Sequence, residues 1–212
     1  MGRSRKGWAF ELPVVDLNYG LRSHVQLKFE VPWLVMKEGG EKAKAGPGNS
    51  MIGVKWRFLD EERSGFEMSI YPQLEFNNNT HSVARGMTEK GTRLFLPIEA
   101  GKKIGTVEIT SEVGYRITQD APDELEYGLL FSRRMNRRVE LMGELHGCSL
   151  RIFREDELSL NIGARIRLAK NAVLLISAGR TMDNSGEGPQ NIGTFGIQFN
   201  FRNGMPRFAR NK

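Results

Sequence analysis

Ile192-Gly-Thr-Phe-Gly-Ile-Gln-Phe-Asn-Phe201 sets Phe195, Ile197, Phe199 and Phe201 on one parity and Thr194, Gly196, Gln198 and Asn200 on the other. A period of two with only apolar residues on one side is a strand whose two faces meet different surroundings. The same alternation recurs upstream about ten times. Leu158 to Leu168 is the cleanest copy, with Leu160, Ile162, Ala164 and Ile166 against Ser159, Asn161, Gly163, Arg165 and Arg167. Val25 to Leu34 and Ile52 to Phe58 follow the same rule. The first strand changes parity, from Trp8, Phe10 and Leu12 to Val15, Leu17 and Tyr19, which predicts a bulge near Pro13. No stretch carries a sustained helical period.

The connections read as short and long in alternation. Short turns fall at Leu21–His24, Asp60–Gly65, Gly101–Lys103, around Asn136 and at Lys170–Asn171. Long ones fall at Lys37–Asn49, Asn77–Gly91, Thr118–Glu124, Arg151–Glu157 and Asp183–Asn191. With strands of about ten residues, this predicts an up-and-down antiparallel transmembrane β-barrel. About eleven strands are present, and the even count of bacterial barrels leads us to expect a twelfth, with a signal peptide, upstream of Met1. One barrel domain is expected over 8–201, between a basic segment at 1–7 and a basic tail at 202–212. The prolines at 32, 72 and 97 interrupt strand readings and mark bulges or strand ends.

Composition is permissive of this fold. The chain is 39% hydrophobic and 26% charged with a mean hydropathy of -0.42, values that a barrel shares with a soluble protein because only alternate residues meet lipid. No apolar run approaches the roughly 20 residues of a spanning helix. The net charge of +6 is spread over interleaved acids and bases without a basic helix or stripe, which argues against a nucleic-acid partner. Cys148 is the lone cysteine, so it forms no internal disulfide.

Parity alone leaves open which face points outward. An interior wider than that of eight strands is not filled by apolar side chains. Aromatic residues collect towards strand ends at Trp8, Tyr19, Trp33, Phe66, Phe76, Tyr115, Phe131 and Phe201, as interfacial girdles require. Matching residues about the turns sets Asp16 opposite Lys28, Arg57 opposite Glu67 and Arg134 opposite Glu140, a neutralisation that a confined lumen needs. The expected lumen lining is therefore Asp16, Lys28, Glu30, Lys55, Arg57, Glu67, Glu75, Arg93, Glu99, Glu108, Glu112, Arg116, Glu126, Glu140, Glu144, His146, Arg165 and Arg167. The expected lipid-facing set includes Phe29, Val54, Trp56, Ile109, Leu129, Leu160, Ile162, Phe195, Ile197 and Phe199.

Pro13-Val-Val-Asp-Leu-Asn-Tyr-Gly-Leu21, Val25-Gln-Leu-Lys-Phe-Glu-Val-Pro-Trp-Leu34, Gly48-Asn-Ser-Met-Ile-Gly-Val-Lys-Trp-Arg-Phe58 and Gly193 to Phe201 resemble the MetA-pathway of phenol degradation family. The resemblance runs from Trp8 to Phe201 and implies an outer-membrane transport barrel of a Gram-negative bacterium. Its expected partners are membrane lipid, a small hydrophobic or aromatic solute and, during biogenesis, the barrel-assembly machinery. The last strand also resembles the C-terminal signal that this machinery reads, although eleven residues follow Phe201.

Chemistry is sparse. His146 beside Glu144 suggests an acid–base pair, but no serine shares a tight pattern with it, so no enzyme is expected. His24 and His81 fall in a turn and a loop and form no metal-ligand cluster, and no cofactor motif occurs. Arg165 and Arg167, expected to face Glu140 and Glu144, are the leading candidates for either a solute path or a structural ion-pair network, the latter favoured. Three functions stay open: passive passage of a small hydrophobic or aromatic compound, a closed structural barrel, and a soluble barrel with an apolar ligand.

Overall fold

The computed structural model describes residues 8–37, 41–77, 80–88, 90–151, 154–183 and 191–202. The terminal segments 1–7 and 203–212, and residues 184–190 where a Gly-rich loop is expected, lie outside the described residues. Thirteen strands form one sheet. They are β1 (Trp8–Arg22), β2 (Val25–Lys37), β3 (Lys44–Pro47), β4 (Ser50–Leu59), β5 (Glu67–Ile70), β6 (Gln73–Phe76) and β7 (Arg93–Ile104). After them come β8 (Val107–Thr118), β9 (Glu124–Arg134), β10 (Val139–Arg151), β11 (Arg154–Arg167), β12 (Ala172–Asp183) and β13 (Asn191–Arg202). Two short helices, α1 (Glu61–Ser64) and α2 (Thr80–Ala84), sit in connections.

The sheet closes on itself. β5 and β6 are two halves of one stave, both lying between β4 and β7, and β3 is a short extension on the rim of β2. Eleven staves therefore make the barrel. Every neighbouring pair is antiparallel except β1 and β13, which run parallel from Trp8↔Asn191 to Gly20↔Arg202. An odd number of alternating staves leaves the first and last pointing the same way, so the eleven close without the even count expected of a bacterial barrel.

Side-chain burial is inverted relative to a soluble domain. Among the described residues the buried large apolar side chains are Val14, Met87, Phe95 and Val173, whereas Asp16, Asn18, Glu99, Glu126 and Gln198 are among the buried polar ones. Large apolar residues stand instead on the outer wall: Ile162 is 73% exposed, and Val54, Trp56, Leu160 and Phe195 are exposed with it. Tyr19, Trp33, Phe66, Tyr115, Phe131 and Phe201 are exposed as well. They fall towards the two rims, as girdle residues do.

Prolines account for the irregularities. The register shifts between Glu11 and Val14 on both edges of β1, which is the bulge expected at Pro13. Pro72 breaks the stave that reads as continuous from Phe66 to Phe76, since it donates no ladder bond. The neighbouring stave accommodates the break, with Tyr71 N donating to Pro97 O at 3.2 Å. Pro32 stands where β2 passes from β4 to β3.

Two expected loops are corrected. Lys37–Asn49 is not wholly flexible loop, because Lys44–Pro47 pairs with Trp33–Met36. Arg151–Glu157 is not a connecting segment: β10 and β11 pair as far as Arg151↔Arg154. The backbone ladder runs on through the wholly charged Arg154–Glu157, which the side chains alone make look like a linker. The strict short–long alternation of connections fails at that hairpin.

Candidate solute path through the barrel

The inward parity of each stave is set by the same alternation that exposes the apolar residues. Of the eighteen residues expected in the lumen, Asp16, Glu99 and Glu126 are buried, Glu108 is exposed at the short-turn rim, and the rest are half-buried. Of the expected outward set, Phe29, Val54, Trp56, Leu160, Ile162 and Phe195 are exposed, while Ile109, Leu129, Ile197 and Phe199 are half-covered by their neighbours.

At the long-loop end lies a cavity of about 390 Å³. Pro32, Leu34, Met51 and Met87 supply its apolar wall; Glu11, Glu30, Glu75, Arg93 and Arg116 supply its charged one. The loop after β6 folds onto β3 to complete it: Arg85 Nη1 donates to Ala45 O at 2.8 Å, and Gly91 N donates to Asn77 Oδ1 at 2.8 Å. Asn77 Nδ2 in turn donates to Asn49 Oδ1 at 2.8 Å. Those bonds carry Met87 and Thr88 into the cavity wall. The hydroxyl of Thr88 is buried there without a hydrogen-bond partner.

Ion pairs line the wall below it. Glu75 accepts from Arg93 Nη1 at 3.4 Å and lies 3.6 Å from Arg116 Nη1. Arg116 also chelates Glu126, with Nη2 to Oε2 at 3.0 Å, and stacks 4.7 Å from the centroid of Phe95. His146 Nε2 reaches the same Glu126 at 3.6 Å. On the facing side Lys28 Nζ lies 2.9 Å from Glu30 and 3.6 Å from Asp16. Lys55 pairs with Glu99, which accepts from Ser69 Oγ at 2.9 Å. Glu144 accepts from Asn161 Nδ2 at 3.0 Å.

Three expected pairings shift. In the ladder Asp16 opposes Glu30 and Asn18 opposes Lys28, so Lys28 meets Asp16 diagonally. Arg57 opposes Ser69 and reaches Glu67 diagonally at 3.6 Å. Both displacements follow from turns that close later along the chain than direct pairing needs, at Arg22↔Val25 and Leu59↔Met68. Arg134 does oppose Glu140 directly. Arg165 also opposes Glu140, at 3.9 Å, and donates to Gln198 Oε1 at 2.7 Å. Arg167 does not face Glu144, which opposes Asn161; it sits at the rim, its backbone N donating to Arg138 O at 2.8 Å. His146, which the sequence sets beside Glu144, turns to Glu126 on β9.

The short-turn end is pinned outside the span. His24 Nε2 and Asp60 Oδ2 are 2.9 Å apart, and Arg57 Nε is 2.9 Å from Asp60 Oδ1. The bond from His24 holds the Asp60 carboxyl below its ordinary pKa, with Arg57 adding to the effect.

Reading parity alone missed several lumen residues. Glu11 was recoverable, because the bulge reverses parity and Glu11 opposes the Trp8–Phe10–Leu12 side. Phe95 and Pro97 were not, since an inward aromatic beside an inward proline breaks the polar rule. Compared with known proteins, the chain matches no family model and no curated sequence.

Proposed function

We propose that this protein is an outer-membrane β-barrel for passive passage of small, hydrophobic or aromatic solutes, as its resemblance to the MetA-pathway family implies. One observation carries the reading: the apolar wall is outside and exposed, and the charged wall is inside and bounds the cavity at the long-loop end. In water such an outer wall would be a contiguous apolar patch far larger than soluble monomers tolerate. In a bilayer it is the required surface, with aromatic girdles at both rims. The cavity exceeds the roughly 150 Å³ that an apolar pocket needs to take a benzene ring, and its mixed lining suits a ring with a polar substituent. Passage of this kind calls for no catalytic group. Membrane lipid and the barrel-assembly machinery are the accompanying partners.

The ion pairs support a second reading, a closed structural barrel, because Arg116 bridges Glu75 and Glu126 between β6 and β9. Two experiments separate the readings. Detergent-refolded protein that migrates differently with and without heating supports a membrane barrel and rejects a soluble one. Liposomes carrying the protein swell in a solute such as benzyl alcohol if passage occurs, and stay unchanged if the barrel is closed.

A further inference from the structure

The short-turn rim carries an uneven charge. Around the turn joining β9 and β10, and the adjacent ends of β11 and β12, Arg134, Arg137, Arg138, Arg165 and Arg167 line one recess with Glu140 as the single acid. The recess measures about 20 Å³, room for one oxygen of an oxyanion whose remainder stands outside it. Five guanidinium groups crowd this space, with Glu140 among them and Glu108 diagonal to Arg134 as the nearby acids. Among the described residues, Arg134, Arg137 and Arg138 make no side-chain ion pair. The turn that presents them is ordered: Asn136 Oδ1 accepts from Arg138 N at 2.8 Å and from Val139 N at 2.9 Å. The bond from Arg167 N to Arg138 O ties this turn to β11. Beyond β9 the same rim holds Glu108, diagonal to Arg134 across the β8–β9 ladder, and then Asp60, Glu61 and Glu67 interleaved with Arg57, Arg63, Lys102 and Lys103, so the excess of guanidinium groups falls in this arc.

An ordered crowd of like charges outnumbering its acids is a poor structural device and a good receptor for an oxyanion. Guanidinium forks match a carboxylate or phosphate in plane and bond it in pairs. Arg134, Arg165 and Arg167 lie on the inward parity of their staves, with Arg134 and Arg165 both opposite Glu140, so the recess opens towards the lumen rather than the lipid. We propose that this arc binds the carboxylate or phosphate of a small organic anion, so that the solutes of the lumen are anionic. The inference rests on the lumen being a solute path.

The test uses full-length protein refolded in zwitterionic detergent, titrated at constant ionic strength with sodium benzoate, and separately with inorganic phosphate, by calorimetry. Benzoate is expected to saturate one site, and the R137Q/R138Q double variant to weaken it at least tenfold. R133Q, a change next door on the outward parity, should leave it within twofold. E140Q, which removes only the acid, should tighten it severalfold and serves if the double variant does not refold. Saturation by phosphate with equal affinity identifies a general oxyanion site; preference for benzoate identifies an organic acid. Absence of saturation by either anion overturns the proposal, as does equal weakening by R133Q, which would indicate only a diffuse field. Bilayer recordings then judge the path separately. A barrel that binds benzoate but passes no current keeps this site and loses passage, whereas one that passes current and binds neither anion loses the site alone.

Discussion

Replacing Ile162 by arginine asks whether the outer wall meets lipid. Ile162 is the most exposed large apolar residue described, and it lies five residues before Arg167 at the short-turn end of β11. At a rise of about 3.3 Å per residue and a tilt of about 40°, this puts it ~13 Å above that rim, close to the middle of an apolar band ~25 Å tall. Arginine at the midplane of a barrel costs about 2–4 kcal/mol, roughly 30-fold to 1000-fold in the folding constant. Leu168, exposed one residue past the strand, sits at the interface, where the same change costs about 0–1 kcal/mol. Denaturant titrations of folding into phosphatidylcholine vesicles, followed by the fluorescence of Trp8, Trp33 and Trp56, measure both. A large loss for Ile162→Arg beside a small one for Leu168→Arg is the expected result. If Ile162→Arg stays within about 0.5 kcal/mol of the wild type, as an ordinary surface change would, the wall faces water and the membrane reading is wrong.

Other parts of the wall give further tests in the same vesicles. Glu126→Gln strips the carboxylate from both Arg116 and His146 and should lower stability by about 1–3 kcal/mol, whereas an unchanged midpoint would show that the pair is merely incidental. Gly114→Ala drives a methyl into the Phe95 ring and the Pro97 backbone and should cost about 1–3 kcal/mol. Gly143→Ala meets nothing within 4 Å and should be neutral or stabilising by up to about 1 kcal/mol; reversal of that order would mean the β7–β8 register is wrong. The Asp60 carboxyl, lowered in the folded barrel, stabilises the turn above its unfolded value near 3.9 and loses that contribution as pH falls through its folded value. Carbon-detected titration should find its midpoint below that of an ordinary aspartate and restored towards it in His24→Ala.

The barrel was legible because its signal is redundant. Each of Phe195, Ile162 and Val54 carries little information alone, yet one parity rule repeated along eleven staves fixes both fold and sidedness. Register was less legible, because it depends on the ladder beside each turn. Turns that close at Arg22↔Val25 and Leu59↔Met68 moved Lys28 and Arg57 from direct to diagonal pairing, a net shift of two residues that leaves each on the same face. The 390 Å³ cavity was illegible, since Met87 and Thr88 reach it from a connection whose fold depends on Asn49, Asn77 and Arg85. The arginine arc stood in plain view at Arg133-Arg-Met-Asn-Arg-Arg138, but average charge mixing concealed it; only closure of the sheet brings Arg165 and Arg167 alongside.

Whether the interior pairs obstruct the lumen or furnish it turns on which partner is wet. Glu30 and Glu75 are as wet as the bases they meet, at 24% and 25%, but in three other pairings the acid is the dry member: the side chains of Asp16, Glu126 and Glu99 are 5%, 8% and 11% exposed. The base is the wet one, with Lys28, Arg116 and Lys55 at 22%, 20% and 37%. Short acids are rooted in the wall, while long bases carry their charged ends towards lumen water. Hydrated pairs of this kind are worth about 1 kcal/mol or less and part readily, unlike the dry network a sealed barrel would need. The surface a solute meets is then of mixed charge along the barrel and cationic at the arc around Arg134 and Arg165. Sites that bind weakly in series let a solute both enter and leave. This arrangement favours passage over closure, and leaves any preference for an anion to the arginine arc alone.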